Sequence, residues 1–328
     1  MSSGLMNIAL LYEHPTWSGK LIETFQSNGI DLQLVNIADL SFCPDKDHPG
    51  FNFAVNRINM MPSSGRDPSV VFHTLHYLNW LETMEVTIVN GSRAHFTGSS
   101  KALQNGLFRK LGLHCPQAVA VYRIQDILTA SETIGFPLII KPNIGGSGSG
   151  ISRYDTYEEL ETAVKSAELS LGVDGTGLVQ QYIQSDGYVY RVEVLGNSLF
   201  YSIRQKMIAQ TFNYCAADGC SISPSKDNDA SYNHCALNQE DRIQTFKADD
   251  TIVAQVISII KAAGADFGGV EYLMDIATGM PCFYDFNPYS NFVANGKSLL
   301  GFSPEQRFVD FIKDVCSGEK TLHSSISR

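Results

Sequence analysis

The 328-residue chain has no basic run, no apolar stretch of membrane-spanning length and no paired cysteine framework. Charged residues make up 18% and the formal charge is −10, so a nucleic-acid backbone is not expected as a main partner. Without a long apolar segment, no membrane partner is expected either. The seven cysteines (43, 115, 215, 220, 235, 282 and 316) are scattered and odd in number, which predicts reduced thiols in the cytoplasm. Cys215-x4-Cys220 with His234-Cys235 fits closed zinc spacings poorly. The opening MSSGLMNIALLYE lacks the positive segment of a secretory signal. GxxxxGK[ST] is missing, no dinucleotide fingerprint is seen, and no Ser/His/Asp or Cys/His arrangement stands out.

What is present is concentrated in FPLIIKPNIGGSGSGI, residues 136–151. Leu138, Ile139 and Ile140 favour a buried strand, and Lys141 stands at its predicted end. Pro142 and then Gly145, Gly146, Gly148 and Gly150 stop any regular element. Glycines let backbone N–H groups approach a ligand closely. N–H donors beside a lysine describe a polyphosphate grip. A flexible linker is the bland reading, and the order strand, lysine, glycine loop argues against it.

Periodicity predicts a β-α-β opening: strand 7–12, helix 18–28, strand 31–37. Strand-like 51–58, helix 69–84 and strand 86–90 complete a first unit closing near residue 97. Beyond it the pattern predicts helix 99–112, strand 118–123, helix 124–135, the lysine strand, and helix 156–167 capped by Thr156 with Glu159. Strand 177–183 follows, then a hairpin over 188–207 turning at Gly196-Asn197. The polar interval 212–248 reads as a substrate loop or flap. Helix 248–264, a hairpin of 268–275 with 281–287, and helix 303–318 with Pro304 in its first turn end the pattern.

That last hairpin carries GGVEYLMD and PCFYDFN. Strand alternation puts Asp285 and Asn287 on one face, and pairing around Ala277-Thr278-Gly279 puts Glu271 across from them. Two carboxylates and an amide oxygen are hard donors suited to magnesium with ATP phosphates. The alternative is that these are solvated strand residues. The aromatic neighbours Phe283, Tyr284 and Phe286 imply burial instead, where an unpaired carboxylate is costly.

Together these pieces resemble the ATP-grasp enzymes, most of all the RimK-like carboxylate–amine ligases. Over residues 99–293 the shared elements run in order: Lys101, KPNIGGSGSG with Lys141, VQQYI, Arg191 and Arg204 in the first hairpin, GGVEYL, and YDFNPYSNF. The resemblance implies an α/β (α+β) ATP-grasp fold with an N-terminal Rossmann-like pre-grasp domain at 1–97. A central subdomain at 98–186 and a C-terminal subdomain at 187–328 would enclose a nucleotide cleft.

It further implies that Lys101 and Lys141 hold ATP phosphates and that Gly145, Gly146, Ser147 and Gly148 close over them. Gln180, Gln181, Tyr182 and Ile183 would line the adenine. Arg204 would face the γ-phosphate or acyl-phosphate, and Arg191 a phosphate or substrate carboxylate. Glu271, Asp285 and Asn287 would hold Mg2+, with Mn2+ as substitute. The family usually has glutamate where Gln181 stands and an acidic residue where Val189 stands; Asp186 is the candidate for the lost ribose contact. The implied reaction joins a small-molecule carboxylate to an amine through an acyl-phosphate; its rivals are a small-molecule kinase and a non-catalytic ATP-binding protein. Substrate residues are sought in His14 and Trp17 after the first strand, in Arg57, and in Ser290 and Asn291 after the metal hairpin. Oligomeric state is open, a homodimer being the common soluble assembly.

Overall fold

The computed structural model describes residues 7–14, 16–59, 67–146, 148–166, 169–207, 242–289 and 291–323. Ser147, Ser290, Cys215, Cys220, His234, Cys235 and most of the expected loop 212–248 lie outside the described residues.

The chain opens with β1 (Ile8–Tyr12), α1 (Gly19–Ser27), β2 (Leu32–Asn36), β3 (Phe53–Asn56), α2 (Val70–Thr83) and β4 (Thr87–Val89). The four strands form an all-parallel sheet in the order β2-β1-β3-β4. Both of its faces are covered, as parallel sheets require. Ile8 and Leu10 of β1 pack with α1 through Leu21 and Phe25. Ala9 and Leu11 pack with α2 through Tyr77, Leu78 and Leu81.

The helix expected over 99–112 is α4 (Lys101–Lys110), and a helix that was not expected, α3 (Ser92–Ser99), directly precedes it. Ser100 is extended (φ −113°, ψ 112°), and its hydroxyl accepts a hydrogen bond from the Leu103 N–H at 3.2 Å. A serine that caps its own helix also ends the one before it. Lys101 is thereby placed at the first turn of α4.

The middle of the chain gives β5 (Ala118–Val121), α5 (Asp126–Ile134), β6 (Leu138–Pro142), β7 (Ser152–Tyr154), α6 (Tyr157–Lys165) and β8 (Gly177–Gln181). These strands make an antiparallel sheet in the order β5-β8-β6-β7. Lys141 is next to last in β6, near the end where it was expected, and pairs with Leu178. Thr156 caps α6 by accepting from the Glu159 N–H at 3.3 Å, while Glu159 reaches back to Asp155 rather than to Thr156.

The third sheet is antiparallel, in the order β11-β10-β9-β12-β13. It comprises β9 (Tyr188–Leu195), β10 (Ser198–Lys206), β11 (Ile243–Thr245), β12 (Phe267–Met274) and β13 (Pro281–Asn287). Part of the interval read as irregular is thus the edge strand β11. One face packs on α4 and α7 (Asp250–Ala262): Val192 and Val194, Val270 and Tyr272, Phe283 and Phe286 join Val256, Ile259 and Ile260 there. After the short α8 (Gly296–Leu300), α9 (Pro304–Cys316) returns to the first sheet. Its Phe308, Val309, Phe311 and Ile312 pack with Ile8, Leu10 and Phe53.

Candidate active site

The other face of the third sheet and the β6 side of the second line one cavity. Its chemistry follows from strand register. Directly opposed residues of an antiparallel pair share a face. Arg191 on β9 is opposite Glu271 on β12, and Glu271 is opposite Asp285 on β13. The next row is Glu193, Gly269 and Asn287. Lys101, from α4, makes an ion pair with Asp285. One row therefore reads guanidinium, carboxylate, carboxylate, ammonium.

Phe283 and Phe286 both face the helices although simple alternation would separate them. The register shifts between Glu271 and Tyr272, making Tyr284 the extra residue of a β-bulge. The bulge turns Tyr284 toward Glu271, and its hydroxyl donates to Oε2 at 2.7 Å. Burial first, and then the facing Asp285, raises the Glu271 carboxyl to about 7. Lys141 is 5% exposed. Burial and the neighbouring Lys101 lower its ammonium to about 8, with Asp285 opposing. Carboxylates pressed together beside two ammonium groups suit a ligand that brings both a cation and phosphates. Glu271, Asp285 and Asn287 provide the hard oxygen donors magnesium takes. Asn287 Oδ1 also accepts from the Tyr289 N–H at 2.9 Å, which fixes the amide. Among the described residues no group of three or more His, Cys, Asp or Glu has metal-binding arrangement, so this mixed set is the metal candidate.

Gly145, Gly146 and Gly148 line the same cavity, and Gly148 takes φ +73°, a conformation that favours glycine. Gln180, Gln181, Tyr182 and Ile183 line it too, together with Ile139 and Leu273. Arg153 lies over the Tyr182 ring, 4.1 Å from its centroid. Asn291 also lines the cavity, its carbonyl accepting from Arg191 Nη2 at 3.2 Å.

Five expected residues stand elsewhere. Arg204 is opposite Tyr190, so it shares the face of Tyr190 and turns away from the cavity. It donates to Gln244 at 3.0 Å and lies over the Tyr188 ring. Asp186 is exposed and is held by the Tyr188 N–H at 3.1 Å and the Tyr190 hydroxyl at 2.6 Å, not at the cavity. His14 stacks on Trp17 at 4.1 Å, and its Nδ1 accepts from the Thr16 and Trp17 N–H groups. The pair caps the turn after β1 and does not line the cavity. Arg57 sits deep among Phe267, Phe292 and Phe308, where burial lowers it to about 10; the nearby Asn59 reaches the cavity instead.

Other positioning residues carry no motif. Asn143 accepts from the Ala102 N–H (2.9 Å) and the Ser100 hydroxyl (3.0 Å), tying the glycine loop to the start of α4. Gln104 brackets Phe286, accepting from its N–H (3.0 Å) and donating to its carbonyl (2.9 Å), beside Asp285. Glu193 is 1% exposed and pairs with Arg191. Single buried amides and one buried glutamate within strands and helices leave no pattern to search for; alternation from Arg191 along β9 was the one available signal for Glu193.

Comparison with known proteins agrees with this geometry. The family described as "D-ala D-ala ligase C-terminus" matches residues 107–264. D-alanine–D-alanine ligase B of Xanthomonas campestris pv. campestris is 29% identical over 209 residues, 61% of this chain and 58% of that protein. Glutamate–LysW ligase ArgX of Sulfurisphaera tokodaii is 26% identical over 197 residues, 59% of this chain and 66% of that protein. The chain thus spans less than two thirds of the length of these curated relatives. Among solved structures, an ATP-grasp RimK domain protein from Sphaerobacter thermophilus superposes with TM-score 0.66 at 18% identity, covering 93% of this chain and 98% of that one. The ATP complex of D-alanine–D-alanine ligase from Bacillus anthracis gives 0.64 at 13% identity, covering 97% and 100%. The chain has the ATP-grasp fold.

Proposed function

We propose that the protein is an ATP-dependent carboxylate–amine ligase, RimK-like in kind, working in the cytoplasm. Its units would be a pre-grasp domain at 1–97, a central subdomain at 98–186 and a C-terminal subdomain at 187–328. The observation that carries the reading is the convergence of Lys101, Lys141, Glu271, Asp285 and Asn287 on one cavity. The ligase relatives support the reaction type.

Lys101 and Lys141 would neutralise the ATP phosphates, with the loop around Gly145, Gly146 and Gly148 donating backbone N–H groups. Gln180–Ile183 would hold the base. Glu271, Asp285 and Asn287 would hold magnesium, which neutralises phosphate charge when bound. The γ-phosphoryl group passes to a carboxylate oxygen of the substrate, giving an acyl-phosphate and ADP. The amine nitrogen then attacks the acyl carbon, the C–O bond to phosphate breaks, and the nitrogen loses a proton. Alignment and charge neutralisation suffice for both steps, so no side-chain nucleophile is needed. The apolar side chains of Ile139 and Leu273 would pack against the base.

The test is ADP formation with magnesium, a carboxylate panel and an amine panel. Ligation requires ADP release that depends on both panels, with a coupled product by mass, and none from Lys141→Ala. ADP formed without any amine, with a phosphorylated product, would make the protein a small-molecule kinase.

A further inference from the structure

Beside the Glu271–Asp285 pair, Arg191 and Glu193 form an arrangement that the two lysines and the metal candidates leave unexplained. Arg191 Nε donates to Glu193 Oε1 at 2.6 Å, and Nη2 contacts the same oxygen. Both residues are on β9 two positions apart, so both face the cavity side of the sheet. Across from Glu193 stands Gly269. A Cβ there would come within 2.8 Å of Glu193 Cδ and 3.0 Å of Arg191 Nε. The ion pair thus occupies the volume a side chain at 269 would take. The Arg191 side chain is 11% exposed and lines the cavity; Glu193 is 1% exposed and does not. Burial opposes the Arg191 charge, and Glu193, Tyr201 and Glu271 more than offset it, so the guanidinium stays charged.

We infer that Glu193 is a positioning residue that, in the space left by Gly269, aims Arg191 as a fixed receptor for the phosphate being transferred. This rests on the ligase reading above. Guanidinium has two binding edges. Glu193 takes the Nε/Nη2 edge, and the Asn291 carbonyl accepts a further bond from Nη2. The Nη1 donors remain for a ligand in the cavity. Arg191 stands one strand from Glu271 on the side away from Asp285 and Lys101. A phosphate chain held by the lysines, with magnesium held by the two carboxylates, would have its terminal group beside Arg191. A lysine at 191 would offer a point charge without the fork, and an arginine without Glu193 would be free to swing.

The probe is inorganic phosphate titrated calorimetrically into protein saturated with Mg·ADP, which needs no knowledge of the organic substrates. The inference expects wild type to bind phosphate. Glu193→Gln and Gly269→Ala should each weaken phosphate at least tenfold while Mg·ADP affinity stays within twofold. Breaking one half of a buried pair risks unfolding, so Arg191→Met/Glu193→Leu, which replaces the pair by apolar side chains, is measured beside them. It should bind Mg·ADP and lose phosphate. Glu193→Gln that binds phosphate as wild type does would overturn the inference, as would wild type that binds Mg·ADP and no phosphate. Failure of wild type to bind Mg·ADP would instead overturn the nucleotide reading on which it rests.

Discussion

Glu271 is placed under opposing demands that define its role. Burial and Asp285 push its carboxyl up to about 7, while the Tyr284 hydroxyl and the charges of Arg191 and Lys101 pull it down. A hydrogen bond donated to a carboxylate favours its charged form. Tyr284→Phe therefore raises the pKa of Glu271 and lets protons compete better with magnesium. The magnesium concentration for half-maximal ADP formation should rise in this variant, more at pH 6.5 than at pH 8; an equal rise at both would contradict the assignment.

A second residue sets acid sensitivity. His95 is 1% exposed, and burial lowers its imidazole to about 4 from an ordinary 6.5. Its folded value lies below its unfolded one, so its contribution is complete above pH 6.5 and is lost as the pH falls toward 4. Between pH 7 and 5 this amounts to about 2 kcal/mol. Urea titrations of His95→Gln, which keeps a donor for the Val71 carbonyl, should show an acid loss smaller by about that amount.

Among the elements, those with strong internal patterns match expectation: β1, α2, the β9–β10 hairpin and the β12–β13 hairpin. What alternation alone could not show was the bulge at Tyr284, because an extra residue reverses parity without changing composition. Arg204 failed for a related reason. A hairpin places two arginines near each other in sequence order, but only pairing register decides which face each takes, and it put Arg191 at the cavity and Arg204 behind it. Helix α3 was not expected, because its eight residues, SRAHFTGS, include two serines, a threonine and a glycine, which favour helix weakly. Ser100→Ala removes the cap and the hydroxyl held by Asn143, and should cost about 1 kcal/mol in denaturant titrations. It should also weaken ADP binding, since Lys101 begins the helix that Ser100 caps.

For the whole molecule, order along the chain pointed to the proposed nucleotide site more sharply than to any substrate site. Lys141, Glu271, Asp285 and Asn287 stand in motifs whose residue types state their chemistry. The first unit has no such motif, and of its candidates His14 and Trp17 serve a turn and Arg57 an aromatic nest. Nor does the pattern of α9 tell which sheet it covers. In the fold it seals the first sheet, and Phe308 meets Phe267 from β12 at 4.8 Å between ring centroids. Phe308→Ala should therefore destabilise by about 3–5 kcal/mol, and fluorescence and circular dichroism should lose the transition together; a change confined to the C-terminal residues would contradict this packing.

The central claim is that magnesium and nucleotide meet at the Glu271–Asp285 pair. Calorimetric titration of ADP, with and without magnesium, into wild type and Asp285→Asn tests it most directly. The account predicts that magnesium tightens ADP binding to wild type at least tenfold and that Asp285→Asn loses this gain while still binding ADP alone. An Asp285→Asn protein that keeps the full magnesium gain would contradict it.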